Sequence, residues 1–252
     1  MDSEPSSPAG PRVAIVGAGL TGLLAAHGLR KHGFDVALFD AEPALDARAN
    51  RDWTIVLHWA LPVMQALLPA AVVARLPHAI CNPFLEFDAR AEAFAVFHGA
   101  TGDPLFQSPM PGSRRVSRQR LRRVLAEGLD VGIQWGRTVT ALTDAGNSDN
   151  SNNNNNNTAN GPLRLTFADG STYDADYVLG TDGANSRLRA LLLDPDGTGD
   201  GDGDGAARAR TTGSGLLFAT CLVRYHDAAK VAAMTQLHPV TAAARAPTPR
   251  AS

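Results

Sequence analysis

The chain has 252 residues, 44% of them hydrophobic, and a formal net charge of −2, so it is long enough for one large domain or two small ones with a substantial core. This charge balance provides no basic patch, and nucleic acid is therefore not an expected partner. Residues 1–10 are rich in Pro and Ser and contain no apolar segment, which predicts a disordered leader, no secretory signal and a cytoplasmic protein. No apolar run is long enough to predict a transmembrane helix. Cys81 and Cys221 have no metal-ligand spacing and are predicted to be buried, reduced thiols.

A glycine-rich motif directly follows the first strand pattern. Residues 13–16 are apolar without alternation, as expected of a strand that is buried on both faces. The glycines after it have GxGxxG spacing. In that motif the first glycine permits a tight turn, the second lets a pyrophosphate approach the backbone, and the third lets the next helix pack against the strand. We therefore predict a dinucleotide-binding segment consisting of Gly17, Ala18, Gly19, Leu20, Thr21 and Gly22.

The second strand pattern ends in an acidic residue. Residues 36–39 form another apolar run, and Asp40 follows it. A carboxylate at this place accepts hydrogen bonds from ribose hydroxyls and repels a 2′-phosphate. The order of strand, glycines, helix, strand and acid predicts a doubly wound α/β fold that binds FAD or NAD rather than NADP. The alternative is an ordinary glycine-containing turn with an acidic loop residue after it.

The segment after Asp40 combines arginines with helix and strand patterns. Loops after the strands of a doubly wound sheet face the cofactor, so Arg48 and Arg51 are candidates for a phosphate or flavin contact, unless both are solvated loop residues. Residues from about 82 to 112 alternate and turn like an antiparallel meander inserted beside the nucleotide-binding domain. A helix is predicted from the spacing of Leu57, Leu61, Met64, Leu67 and Leu68.

The middle of the chain predicts a helix, strand structure and a long insertion. Ser117 opens a helix with a basic face, and strand patterns follow at 133–142. Residues 145–161 are rich in Asn and Ser and are predicted to be a disordered insertion at a hairpin tip, because they have too few apolar side chains to offset their conformational entropy. Residues 163–167 and 172–179 then predict a hairpin that leads into another buried strand.

A second strand-to-helix turn repeats the chemistry of the first. The strand ending at 179 is followed by Gly180, Thr181, Asp182 and Gly183 and then by an apolar helix. Helix N-termini favour phosphate, so Asp182 and Gly183 are predicted to serve the same ligand as the first motif. An apolar strand is predicted at 216–223, and residues 226–252 are predicted to be a disordered tail.

These motifs, in this order, resemble the FAD-dependent aromatic-ring hydroxylases and epoxidases of the p-hydroxybenzoate hydroxylase type. The GAGLTG segment with Asp40 resembles their ADP-binding fingerprint, in which the acid is more often Glu. Arg118 takes the place of the arginine in their R-x-x-L helix start, which contacts the flavin cofactor. Asp182 and Gly183 resemble their DG motif, whose aspartate serves the FAD pyrophosphate region and is implicated in NADPH binding. Residues 51–62 also resemble the segment that follows the second strand in fungal members.

The resemblance covers roughly residues 11–223 and implies a Rossmann-like FAD/NAD(P)-binding domain at 11–225, with an inserted antiparallel β-sheet as a partial substrate domain. It implies an NAD(P)H-dependent flavoprotein monooxygenase, an oxidoreductase that hydroxylates or epoxidises a small organic substrate, aromatic compounds included. Family members are longer and carry a GD-x5-P motif after the DG motif. Gly102, Asp103 and Pro109 match its spacing but precede the DG motif, which we interpret as a coincidence. The chain is therefore expected to be a C-terminally truncated member.

Two other functions stay open. A nicotinamide-dependent dehydrogenase would be expected to carry a Tyr-x-x-x-Lys pair, but none of Tyr173, Tyr177 and Tyr225 has a lysine four residues later. The other alternative is a non-catalytic dinucleotide-binding remnant of a monooxygenase. Neither His58 nor His98 has a recognisable partner in the sequence, so no catalytic residue is assigned, and no metal site is predicted.

Overall fold

The described part of the chain divides into two units. The computed structural model describes residues 10–47, 52–81, 93–145, 161–193, 211–215, 226–237 and 242–245. The parallel-sheet unit comprises the described residues of 1–50, 67–72 and 125–216, and the hairpin unit comprises those of 51–66, 73–124 and 217–252.

A four-stranded parallel sheet forms the centre of the parallel-sheet unit. Its strands, in spatial order, are β11 (Tyr177–Gly180), β1 (Arg12–Val16), β2 (Asp35–Phe39) and β7 (Ile133–Gln134), and each neighbouring pair is parallel. Val13 to Val16 of the central strand are all buried, as expected of a strand covered on both faces. The predicted Rossmann-like α/β fold is thereby confirmed.

Helix α1 (Leu20–Lys31) connects β1 to β2, and a glycine stands two residues after its last residue. Gly33 has a φ of 83°, a left-handed conformation that costs glycine little. The N–H of Gly33 donates to the backbone carbonyl of Arg30 at 3.0 Å, and the N–H of Phe34 donates to that of Leu29 at 3.1 Å. This pair of hydrogen bonds is the Schellman motif, and it directs the chain from α1 into β2.

A three-stranded antiparallel sheet packs within the same unit. It contains β8 (Val139–Asp144), β9 (Leu163–Phe167) and β10 (Thr172–Ala175), in the order β10-β9-β8. Its buried side chains share a core with the parallel sheet and with α5 (Arg187–Leu193). In this core the ring centroids of Phe39 and Phe167 lie 4.8 Å apart. The hairpin of β9 and β10 is confirmed, but the strand that it leads into, β11, is mostly exposed rather than buried. β8 and β9 pair on either side of the Asn-rich segment, whose residues 146–160 lie outside the described part.

The hairpin unit contains two small sheets. β3 (Thr54–Leu57) pairs antiparallel with β6 (Arg114–Ser117). β4 (Ala93–His98) pairs antiparallel with β5 (Pro104–Pro109), whereas β12 (Ala242–Arg245) runs parallel to β4. The inserted sheet predicted as antiparallel is therefore mixed. Residues 82–92 of the predicted meander lie outside the described residues.

The helix predicted to include Leu57 begins later. Leu57 lies in β3, and α2 (Ala60–Leu67) is followed by α3 (Ala70–Arg75) and a short 3-10 helix, Leu76–Ala79. The prediction was wrong because pairing with the distant strand β6 decides the structure of residues 54–57. Helix α4 (Arg118–Glu127) directly follows β6.

Several terminal and cysteine predictions concern residues that the structure describes only in part. Within the segment predicted to be a disordered tail, the structure places α6 (Ala228–Leu237) and β12. Residues 1–9 and 216–225, including Cys221, are outside the described residues. Cys81 is a free thiol but only half-buried, and burial raises its pKa. Among the described helices, none combines the length and apolar character that crossing a membrane requires.

Candidate functional site

Two loops meet at the carboxyl ends of the neighbouring strands β1 and β11 of the parallel-sheet unit. β1 and β11 are parallel neighbours with Val16 opposite Gly180, so the next residues, Gly17 and Thr181, are adjacent. The N–H of Thr181 donates to Val16 at 2.8 Å, and its hydroxyl donates to the Gly17 carbonyl at 2.7 Å. The carboxyl ends of the strands are where open α/β sheets bind ligands. The structure therefore brings the GxGxxG and DG segments together in one place.

The three motif glycines have different surroundings. A Cβ atom at Gly17, where φ is +107°, would lie 2.5 Å from the carbonyl oxygen of Thr181. At Gly22 it would lie 1.9 Å from the carbonyl oxygen of Gly17. At Gly19 it would meet nothing within 4 Å. Gly17 and Gly22 are thus required by the packing of the chain itself, whereas Gly19 faces open space at the start of α1.

The N-terminus of α1 has no capping side chain. Gly19 is the N-cap residue, no side chain makes a cap hydrogen bond, and the first turn contains no acidic residue. The first amides of a helix have no partner within the helix. Leu20, Thr21 and Gly22 therefore present N–H groups at the positive end of the helix dipole, next to the open space at Gly19. Such an arrangement is suited to an anion.

Asp40 lies directly beside this loop, at the end of β2. One carboxylate oxygen accepts a hydrogen bond from the N–H of Ala18 at 2.7 Å, and the other accepts one from the N–H of Glu42, also at 2.7 Å. The N–H of Gly17 donates to Phe39, the last residue of β2, at 2.7 Å. The end of β2 therefore fixes the glycine loop by two hydrogen bonds and places a carboxylate beside it.

Asp182 is directed toward the N-terminus of α5. Its Oδ2 atom accepts hydrogen bonds from the N–H groups of Arg187 at 2.7 Å and Leu188 at 3.2 Å, and its Oδ1 atom accepts one from the Ser186 hydroxyl at 2.6 Å. The Ser186 oxygen in turn accepts from the N–H of Arg189 at 3.0 Å. The first amides of α5 are therefore capped by the protein, in contrast to those of α1. The adjacent predicted residue, Gly183, is exposed and has a φ of 88°.

Arg118 belongs to the hairpin unit, where it is the first residue of α4. The guanidinium carbon of Arg118 lies 5.8 Å from the centroid of the Trp53 ring, and the backbone N–H of Arg118 donates to the Trp53 carbonyl at 3.0 Å. Asp52 caps α4 by accepting from the N–H of Gln119 at 3.0 Å and from the Ser117 hydroxyl at 2.5 Å. The cofactor contact of Arg118 stays a prediction. The other predicted arginines, Arg48 and Arg51, lie outside the described residues.

The matched spacing of Gly102, Asp103 and Pro109 falls in the β4–β5 hairpin. Gly102 occupies the turn with a φ of 77°, and Pro109 ends β5. The His98 Nδ1 atom accepts from the N–H of Thr101 at 3.2 Å in the same turn. His58 lies 3.2 Å from the carbonyl of Pro111 through Nε2. His98 thus makes a local contact within the hairpin turn, whereas His58 contacts the loop that follows β5.

Thr181, Ser186, Ser117 and Asp52 are contact residues that the motifs alone do not single out. Thr181 directly follows β11, which pairs with β1. A prediction of the register between these two strands would have placed Thr181 next to Gly17. Ser186 and Ser117 cap their helices, but each is followed three residues later by an arginine rather than the Glu or Gln of a capping box. The capping box is therefore absent, although a serine directly before a helix, as predicted for Ser117, is itself a signal for a cap.

Comparisons with known proteins agree with this geometry. Residues 15–69 match the family model of the NAD(P)-binding Rossmann-like domain. FAD-dependent monooxygenase phnB of Penicillium herquei is 32% identical over 231 residues, which cover 91% of this chain and 49% of the relative. The 6-hydroxynicotinate 3-monooxygenase of Pseudomonas fluorescens is 30% identical over 196 residues, 74% of this chain and 44% of the relative.

A solved structure extends the comparison to the fold. Klebsiella pneumoniae HpxO, complexed with FAD and uric acid, is 20% identical with a TM-score of 0.53, covering 73% of this chain and 42% of that one. The alignments with the two curated relatives span less than half of their length.

Proposed function

This chain is a relative of the FAD-dependent monooxygenases, and we propose that its parallel-sheet unit binds FAD through the ADP half of the cofactor. The observation that carries the proposal is the difference between helix N-termini at the candidate site. The amides of α5 are capped by Asp182 and Ser186, whereas those of α1 have no side-chain cap and adjoin the open space at Gly19.

The pyrophosphate of FAD fits the start of α1. Its negative charge is favoured by the unpaired amides and by the helix dipole. The absence of a Cβ atom at Gly19 lets the phosphate oxygens approach the backbone, since no protein atom occupies that volume. A side chain here would fill the space that the anion needs. The residues present therefore fit the ADP portion of the cofactor.

Asp40 is the residue proposed to bind the adenosine ribose. Its position at the end of β2, held by the N–H groups of Ala18 and Glu42, is where α/β dinucleotide sites place an acid that accepts from ribose hydroxyls. The same negative charge disfavours a 2′-phosphate. Asp40 thus favours a dinucleotide without a 2′-phosphate, such as FAD, over NADP.

The complete reaction is also a proposal. FAD supplies the redox and oxygen chemistry when it is bound, with NAD(P)H as the reductant. Asp182 and Gly183 border the same loop, and Arg51 and Arg118 are the candidates for further cofactor contacts. One relative is named for 6-hydroxynicotinate, and a small aromatic substrate hydroxylated or epoxidised in the cytoplasm is the corresponding proposal for this chain. Cofactor binding without NADPH oxidation would instead favour a dinucleotide-binding protein that lacks the activity.

The experiment compares Asp40→Asn with the native protein by titration calorimetry. Binding of FAD and of ADP should weaken about tenfold, because a charged acceptor for ribose hydroxyls is lost. Discrimination against adenosine 2′,5′-bisphosphate should decrease at the same time. Glu42→Gln is the matched control, because it removes a neighbouring charge while the backbone N–H that contacts Asp40 is kept. Equal effects of both variants, or no effect of Asp40→Asn, would contradict the assignment.

A further inference from the structure

We propose that Thr181 is a positioning residue for the pyrophosphate loop: its hydroxyl fixes the Gly17 peptide and thereby the direction of the first amides of α1. The inference rests on the proposed function, because it assigns a role to Thr181 in FAD binding. Thr181 itself is not proposed to touch the cofactor. Its effect is transmitted through the backbone of the glycine loop.

The hydroxyl of Thr181 connects the two loops of the site. It lies 2.7 Å from the carbonyl oxygen of Gly17 and 3.0 Å from that of Val16. The Val16 carbonyl already accepts the N–H of Thr181 at 2.8 Å. A hydroxyl has one hydrogen to donate, and the shorter distance assigns it to Gly17.

Gly17 is the residue of the loop that most needs such a contact. Its φ of +107° is accessible to glycine because glycine has the freest backbone. Its N–H is held by Phe39 at 2.7 Å, and its carbonyl is held by the Thr181 hydroxyl. Both sides of the most flexible residue are therefore fixed. The next N–H, that of Ala18, is held by Asp40 at 2.7 Å, so the chain enters α1 in a defined direction.

The same hydroxyl occupies the space left by the absent side chain of Gly22. A Cβ atom at Gly22 would lie 2.6 Å from Oγ1 of Thr181. A β-branched side chain has a restricted χ1 angle, which holds the hydroxyl where the loop requires it. The contact thus depends on Thr181, Gly17 and Gly22 together, residues that the parallel pairing of β1 and β11 and the first turn of α1 bring to one point.

The test compares Thr181→Val, which keeps the shape but removes the donor, with Thr181→Ser, which keeps the donor. FAD titration should show a dissociation constant about five- to tenfold higher for the valine variant, the change expected from one neutral hydrogen bond. The serine variant should stay within about twofold of the native protein. Native affinity in the valine variant, or equal weakening in both variants, would overturn the proposal.

Amide hydrogen exchange of the ligand-free protein tests the loop independently of FAD. The N–H groups of Gly17 and Ala18 should exchange about five- to tenfold faster in Thr181→Val, whereas that of Phe167, bonded to Ser171 at 2.9 Å, should be unchanged. Unaltered exchange at Gly17 and Ala18 would contradict a positioning role. If the native protein binds no FAD, the proposed function fails, while exchange still decides whether Thr181 fixes the loop. If the valine variant does not fold, Thr181→Ala is compared with Thr181→Ser in the same way.

Discussion

Alanine substitutions of two glycines in the same motif should have opposite consequences. At Gly22, a Cβ atom would lie 1.9 Å from the carbonyl oxygen of Gly17 and 2.6 Å from Oγ1 of Thr181, so the backbone of the loop or of α1 must move. At Gly19, the new methyl group would meet no atom within 4 Å apart from its immediate neighbours along the chain. Gly19 also has a φ of −74° and a ψ of −179°, which alanine adopts without strain.

The magnitudes follow from these surroundings. Alanine is preferred over glycine inside a helix by about 1 kcal/mol, whereas overpacking against backbone atoms costs about 3 kcal/mol. Gly22→Ala should therefore lower the free energy of unfolding by about 2 kcal/mol, a fall in Tm of roughly 4–8 °C. Gly19→Ala changes the N-cap residue and should cost at most about 1 kcal/mol. Its methyl group would occupy the space required by the pyrophosphate, so the dissociation constant of FAD should rise at least about tenfold.

Two assays separate these effects. Thermal unfolding of the ligand-free variants, followed by circular dichroism, reports stability, and quenching of flavin fluorescence reports FAD affinity. Gly19→Ala should be near-native in the first assay and impaired in the second. A Gly22→Ala protein as stable as the native one would refute the packing argument. Native FAD affinity of Gly19→Ala would refute the assignment of the open space to the pyrophosphate.

Other parts of the structure make two further predictions. Asp182→Ala removes the cap of α5 and should lower the free energy of unfolding in urea by about 1 kcal/mol; an unchanged midpoint would contradict the capping role. The amide and guanidinium groups of Arg12 hold the pKa of the Asp176 carboxyl below its ordinary value of 3.8. The stability that this contact contributes is complete above that value and is lost as the pH falls through the lowered pKa. Asp176→Asn should therefore flatten the decline of stability below about pH 4. An unaltered acid profile of the variant would contradict the contribution of this contact.

The centre of the fold could be predicted from local sequence. The unbroken apolar run of β1, the glycine spacing and the position of Asp40 after β2 are properties of short segments, and each has one physical explanation in a parallel sheet. The C-terminal glycine of α1, Gly33, is equally local. These signals were sufficient to predict both the Rossmann-like architecture and the residues that surround the start of α1.

Contacts between distant segments could not be predicted in the same way. Leu57 fits the spacing of the following helix, but its strand pairs with β6, which begins at Arg114. The orientation of Asp182 toward α5 depends on where that helix begins, and the hydrogen bond from Thr181 to Gly17 spans 164 residues. Periodicity and motif spacing contain no information about such pairings. The DG segment could therefore be located from the sequence, whereas the α5 amides that Asp182 contacts and the Gly17 carbonyl that Thr181 contacts could not.

The central claim is that the start of α1 holds the pyrophosphate of FAD. The most direct measurement is a titration of the native protein with FAD, followed by the visible spectrum of the flavin and then by competition with ADP. We predict saturable binding at one site, a flavin spectrum altered by the protein, and displacement of FAD by ADP. A protein that is folded by circular dichroism but leaves the flavin spectrum unchanged, or FAD binding that ADP does not displace, would contradict the account.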